Sequence, residues 1–369
     1  MPHPTLPLVA LLVLAACSGD DGSDREPRNP ITSTPATDSV ATTDSATPTP
    51  TTSTSPTAET GLIITGVPTG TTGDTGTTAA TADTAAVIDC SLTVPIAASS
   101  QVVTGARGYH GLVFNDLGEI VGSDGSSLIA ADSLGNWRVF LPGTGNLEQL
   151  DRLSDGTIIA GSSSDGLVFR IDTNGAVTPL ASISSVYGVR VGPDDLVYVA
   201  NWDAIYRIDP ISGTVTTWLD NNSYSPKVLD FSHDLTKMYF GTISTGGDVY
   251  SVDLDANYDP IGPPVLLAST PGSWHDGLAV DVCGNIYVAE YNTSGMYLIS
   301  PSGNVSTLFT APGGGGPDYY GHGVVFGTGT DGWLADAIYF PQPYNDDTVG
   351  EAIVGIPHRS YTGPVINQP

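Results

Sequence analysis

Between Gly111 and Ile356 the order of apolar and polar positions repeats six times. Each unit has a short apolar run, a Gly/Asp turn, a second apolar run, a loop, a third run ending in Asp or Ser, another turn, and a Val/Thr-rich run. The units open GLVFNDLGEIVGSD (111), QLDRLSDGTIIAGS (149), GVRVGPDDLVYVAN (188), VLDFSHDLTKMYFGT (228), GLAVDVCGNIYVAE (277) and GVVFGTGTDGWLADAIYF (323). Three second halves nearly coincide: LVFRIDTNGAVTPL (167), IYRIDPISGTVTTWL (205) and MYLISPSGNVSTLF (296). Runs this short, rich in β-branched residues and bounded by Gly, Asp or Asn, predict strands. No ten-residue stretch of the region carries a 3.6-residue apolar period, so helices should be nearly absent. A period of about 40 residues with four strands per unit predicts an all-β, six-bladed β-propeller, because one blade cannot bury both its faces and neighbours must do so.

The N-terminal part has no such pattern. Residues 6–16 are apolar but too short to span a bilayer. They end Leu14-Ala15-Ala16-Cys17, which resembles the lipobox of bacterial lipoproteins and implies that residues 1–17 are a signal peptide with Cys17 lipidated. Residues 18–89 are mostly Thr, Ser, Pro, Gly, Asp and Ala, a composition that buries too little apolar surface to offset chain entropy; they are expected to form a disordered tether before a propeller over 90–369.

Charge narrows the partners. The chain has 39 acidic and 11 basic residues; ten of the former and two of the latter precede residue 90, leaving the predicted domain 29 and 9. Such a surface repels nucleic acid and anionic headgroups. Much of the acid is expected in turns, where Asp accepts nearby backbone N–H groups. With Cys17 set aside, Cys90 and Cys283 are an even pair in a chain read as exported, which leaves a disulfide and two free thiols as alternatives.

The inner strand of a propeller blade begins at one mouth of the central channel. The residues just ahead of the six inner strands are His110, Glu148, Tyr187, Lys227, Asp276 and His322, all polar or titratable. Trp202, Trp274, Glu290 and Tyr320 fall in loops on that face and, with Glu148, Tyr187 and Lys227, are candidate ligand-binding groups for a small molecule, sugar or protein. His110, Asp276 and His322 are candidate ligands of a divalent metal, zinc or calcium, with Glu148 a candidate base. A hydrogen-bonded polar plug explains the same ring without any ligand, since Lys227 would repel a cation and pair with Glu148 or Asp276.

His275-Asp276-Gly277-Leu278-Ala279-Val280-Asp281, running on through Gly284-Asn285-Ile286-Tyr287-Val288-Ala289, resembles the gluconolactonase, luciferin-regenerating-enzyme and senescence-marker-protein superfamily and NHL-repeat propellers. That resemblance implies a divalent-cation ligand at Asp276; the family's Glu and Asn positions are held by His110 and Lys227. Tyr109-His110-Gly111-Leu112 and Gly321-His322-Gly323-Val324 are similar to segments of peptide-amidating lyases, which implies zinc-binding histidines. Two functions follow as expectations: a lipid-anchored envelope protein that binds a ligand, or a metal-dependent hydrolase or lyase working at the channel mouth. The expected setting is the outer membrane or cell surface rather than the inner membrane, and the expected state is a monomer.

Overall fold

The computed structural model describes residue 90 and residues 100–105, 110–220, 223–243, 246–310, 322–342 and 348–357. The signal, the tether, Cys17 and Tyr320 lie outside the described residues.

Every regular element among the described residues is a strand. The first in the chain, β1 (Ser100–Val103), completes the ring rather than starting a blade. Blade one is β2 (Leu112–Phe114), β3 (Ile120–Ser123), β4 (Leu128–Ala131) and β5 (Trp137–Leu141). Blade two is β6 (Leu150–Arg152), β7 (Ile158–Ser162), β8 (Leu167–Ile171) and β9 (Val177–Ser182). Blade three is β10 (Gly188–Val191), β11 (Val197–Ala200), β12 (Ala204–Ile208) and β13 (Val215–Asp220). Blade four is β14 (Pro226–Phe231), β15 (Lys237–Thr242), β16 (Asp248–Asp253) and β17 (Val265–Ser269). Blade five is β18 (His275–Val280), β19 (Ile286–Glu290), β20 (Gly295–Ile299) and β21 (Val305–Thr310). Blade six has β22 (Val325–Phe326), β23 (Ala337–Gln342) and β24 (Thr348–Ile353), with β1 antiparallel to β24 as its fourth strand. The chain is therefore a six-bladed β-propeller in which a strand from before blade one locks blade six.

The core is divided among the blade interfaces. Six apolar clusters each join one pair of neighbouring blades, and the sixth, with Phe114 and Ile129 against Trp333 and Tyr339, joins blade six back to blade one. Along β19, Ile286 and Val288 pack toward blade four while Tyr287 and Ala289 pack toward blade six. Alternate side chains go to opposite faces of a strand, so burying both faces requires an unbroken apolar run. That is why the inner two strands read as continuous hydrophobic stretches. The turns are fixed by Asp, as Asp281 shows: its Oδ1 accepts the N–H groups of Cys283 at 2.8 Å and Asn285 at 2.9 Å.

Two of the glycines that follow mouth residues permit the blades to meet. A Cβ on Gly111 would lie 2.6 Å from the Gln149 backbone, and one on Gly277 would lie 2.6 Å from Gly323. The His-Gly and Asp-Gly pairs are thus packing signals as much as chemical ones.

Cys90 and Cys283 form a disulfide, with Cα atoms 5.4 Å apart. Cys283 sits in the β18–β19 turn, at the end of β18 away from its mouth residues His275 and Asp276. The chain therefore enters the propeller on the face opposite the mouth. The same turn binds the C-terminal segment, because Val282 N–H donates to the Pro357 carbonyl at 3.1 Å.

Candidate functional site

The mouth residues are aimed inward by the ends of the inner strands. In β14 the register with β15 shifts between Pro226 and Val228, and in β18 the register with β19 shifts between His275 and Gly277. Lys227 and Asp276 are the extra residues at these two bulges. A bulge re-aims one side chain without breaking the strand, and here it turns an ammonium and a carboxylate toward each other: Lys227 Nζ is paired with Asp276 Oδ1. Lys227 is only 2% exposed. Its ammonium lies between two aromatic faces, 4.9 Å from the Tyr187 ring centroid and 4.7 Å from that of Trp274, where the ring quadrupoles attract a cation.

The other oxygen of Asp276 faces two imidazoles. His322 Nδ1 is 3.4 Å from Asp276 Oδ2, and His110 Nδ1 is 3.9 Å from it. The two rings meet edge to face at 5.3 Å. His110 Nε2 lies 3.3 Å from Glu148 Oε2, and Ser163 Oγ donates to Glu148 Oε1 at 2.5 Å. Burial depresses the His110 pKa and outweighs the pull of Glu148 and Asp276 in the other direction, so its ring is neutral near pH 7. Burial acts against the Asp276 carboxylate, yet the Lys227 ammonium and the hydrogen bond from His322 hold its pKa well below the usual range.

His110, Asp276 and His322 can each direct one ligand atom into a volume where all three atoms lie within 4.8 Å of one another. Ligand atoms about 2.1 Å from a tetrahedral ion stand roughly 3.4 Å apart, which the spacings to Asp276 Oδ2 approach. Neutral imidazole and ionised carboxylate are the donor states such an ion needs. The residues therefore fit a divalent metal, with Lys227 left on the remaining carboxylate oxygen.

The aromatic candidates form the wall. Tyr187 and Trp202 are stacked at 5.5 Å with planes 8° apart, and Trp202 is 42% exposed. Trp274 packs on Tyr291, whose ring edge meets His322 at 5.2 Å. Glu290 corrects the expectation of a ligand group. It is fully buried, its Oε1 accepts the N–H groups of Ser273 and Trp274, both at 2.9 Å, and its Oε2 accepts Thr293 N–H and Oγ1, both at 2.6 Å. A carboxylate with both oxygens occupied this way shapes the Trp274 turn and has nothing left to offer a ligand.

Sequence reasoning missed a second charged layer three residues further along the inner strands. Arg190 Nε is 3.1 Å from Asp230 Oδ1, and Arg190 Nη1 is 3.6 Å from Asp151 Oδ2. The signal was present, since blades one, five and six carry Val113, Ala279 and Val325 at the equivalent place. It also missed Ser163 and Gln149, which only the folded channel brings to the mouth.

Residues 193–314, about a third of the chain, match the family described as the SMP-30/Gluconolactonase/LRE-like region. The matched stretch contains Lys227 and Asp276 but not His110, Glu148 or His322. The chain is a six-bladed propeller related to that superfamily. No curated protein matches it in sequence. Among solved structures it is similar to a gluconolactonase from Xanthomonas campestris (14% identity, TM-score 0.58, covering 70% of this chain and 89% of that one). It is also similar to regucalcin, a calcium-binding protein from Agrobacterium tumefaciens (19%, 0.56, 72% and 96%), and to an auxiliary nutrient binding protein from Bacteroides thetaiotaomicron (11%, 0.55, 69% and 75%). At these identities the likeness concerns the fold, and function is argued from the site.

Proposed function

We propose that this protein is a metal-dependent hydrolase or lyase whose reacting centre is the channel mouth. The observation that carries the reading is the convergence of His110, Asp276 and His322 donor atoms within 4.8 Å. Two imidazoles and one carboxylate favour a zinc-type ion over calcium, which prefers six or more oxygens. When bound, such an ion supplies Lewis acidity toward a carbonyl or other electron-rich oxygen. The chain's own groups do the rest. Glu148, on the far nitrogen of His110, keeps the proton on Nε2 and so presents the Nδ1 lone pair; it acts as an orienting carboxylate, a role that replaces the base suggested by its charge alone. Lys227 fixes the Asp276 carboxylate through Oδ1 and leaves Oδ2 toward the imidazoles. The exposed Trp202, backed by Tyr187, offers a flat face for a ring substrate. Small cyclic esters are the first substrates to try, because a gluconolactonase is among the structures of like fold.

Protein purified without a metal-affinity resin should contain close to one equivalent of divalent metal, and His322→Ala should lose most of it. Lactone hydrolysis followed by acid release should then stop on chelation and return with zinc. A metal-free protein that gains no thermal stability from zinc, manganese or calcium would sink this reading.

One observation favours a second reading. Lys227 already neutralises Asp276 between two aromatic faces, as a plug would, and one structure of like fold is a nutrient-binding protein. On this view the protein binds an organic ligand at the Trp202 face without metal.

We further infer that the protein is exported and held at the cell envelope by lipid on Cys17. Cys17→Ser should move the protein from the membrane fraction to the soluble one with its thermal unfolding unchanged; continued membrane association would refute the anchor.

A further inference from the structure

The main chain of β18, the strand that carries Asp276, is held from blades two, three and four at three alternate residues. Gln149 Nε2 donates to the Asp276 carbonyl at 2.6 Å, Arg190 Nη2 donates to the Leu278 carbonyl at 3.2 Å, and Val280 N–H donates to Asp230 Oδ2 at 3.0 Å. The first bond differs in kind from the others. Asp276 is the residue that the bulge takes out of register with β19, so its buried carbonyl is served from blade two rather than by the ladder, and a buried carbonyl needs a donor.

Gln149 also follows Glu148 directly. At this strand start Glu148 N–H donates to the Gly161 carbonyl at 2.8 Å, and Gly161 N–H donates to the Gln149 carbonyl at 3.2 Å. With the backbone fixed at both residues, the two side chains diverge: Glu148 reaches His110 and Gln149 reaches Asp276. We infer that Gln149 is a positioning residue for the mouth, and that the Glu148-Gln149 dipeptide of blade two sets two of the three proposed ligands, His110 through its ring and Asp276 through its backbone. The inference rests on the metal-site reading for its purpose but not for its geometry.

The test compares Gln149→Leu, which removes the donor at similar volume, with Arg190→Met, which cuts the bond two residues further along the same strand. In the metal-free full-length protein, the imidazole resonances of His110 and His322 should move in Gln149→Leu while His233, remote from the mouth, serves as the unchanged control. Zinc affinity measured by calorimetry should fall about tenfold or more in Gln149→Leu, the loss seen when an outer hydrogen-bond partner of a ligand is removed. In Arg190→Met it should stay within about twofold. Wild-type imidazole resonances in Gln149→Leu would overturn the inference, whatever the metal does. A wild-type protein that binds no zinc would overturn the function proposed above while the resonances still decide Gln149's role. If the Leu variant does not fold, Gln149→Asn, which shortens the reach by one methylene, should shift the same two resonances, and their constancy would count equally against the proposal.

Discussion

Two charged layers lie one above the other in the channel, on the same inner strands and three residues apart, yet they are satisfied differently. In the lower layer the backbone does the work. Asp151 Oδ2 accepts Val191 N–H at 2.7 Å, Asp230 accepts Phe231 N–H at 2.8 Å and Val280 N–H at 3.0 Å, and Arg190 donates to the carbonyls of Leu229 and Leu278. Apart from the Phe231 bond, which lies within blade four, these bonds run between blades two and three, three and four, four and five, and three and five, so the layer is a staple. In the upper layer the recorded contacts of the Glu148 and Asp276 carboxylates are with side chains: His110, Ser163, Lys227 and His322. Charges held by main chain cannot move without opening the fold. Charges held by side chains keep their places only while those partners do, so the geometry of the mouth depends on supporting bonds such as the one from Gln149.

If this contrast is right, breaking the lower layer should cost stability and little else. Arg190→Met leaves Asp151 and Asp230 buried with no cation, and urea unfolding should show a loss of roughly 3–5 kcal/mol, with metal stoichiometry at the mouth retained. A loss of metal with little loss of stability would mean that the layers are not separable.

The disulfide offers a milder cut on the face away from the mouth. Reducing Cys90–Cys283 should lower stability by roughly 2–4 kcal/mol and leave the metal affinity of the folded protein unaltered, as a titration in reductant would reveal. A coupled change in affinity would show that the mouth senses the far face.

Acid should act on the two layers with opposite sign. On the mouth side, His275 is buried; its Nδ1 accepts Thr242 N–H at 3.2 Å, and Nε2 lies 2.8 Å from Thr270 Oγ1. Burial, helped by Lys227, pushes its pKa down to about 3. The unfolded chain takes up a proton at about 6.5 that the native ring refuses, so stability is whole above that pH and declines as pH falls toward 3. One such histidine accounts for about 2 kcal/mol between pH 7 and pH 5. In the lower layer, burial raises the Asp151 carboxyl despite Arg190; the native state there takes up its proton first, and acid favours folding at that one group. Urea unfolding at the two pH values should therefore show a net loss at pH 5, and His275→Gln should remove much of it. A pH-independent wild type would contradict the buried neutral imidazole.

The ring itself was readable because a blade buries both faces, and two-sided burial imposes apolar runs that no turn or loop imitates. Asp281 and its counterparts marked the turns for a local reason, since the side chain bonds its own next few residues. The mouth was readable as a set of positions, because strand starts can be aligned, but not as a set of bonds. Glu290 shows the difference: in a loop on the mouth face it looked like a ligand group, and the fold turned it inward to cap the Trp274 turn.

The sequence alone determined the blade count and the identity of the six residues at the mouth, since each follows from a repeating local pattern with a period fixed by the blade; that β1 would supply the fourth strand of blade six was left to the fold. Tertiary structure alone decided that Lys227 would take one oxygen of Asp276 and the imidazoles face the other, that Glu148 would hold His110, and that Gln149 would cross the channel. Those partners lie 38 to 166 residues apart in the chain, and only closure of the ring, which packs the last blade against the first, brings them together.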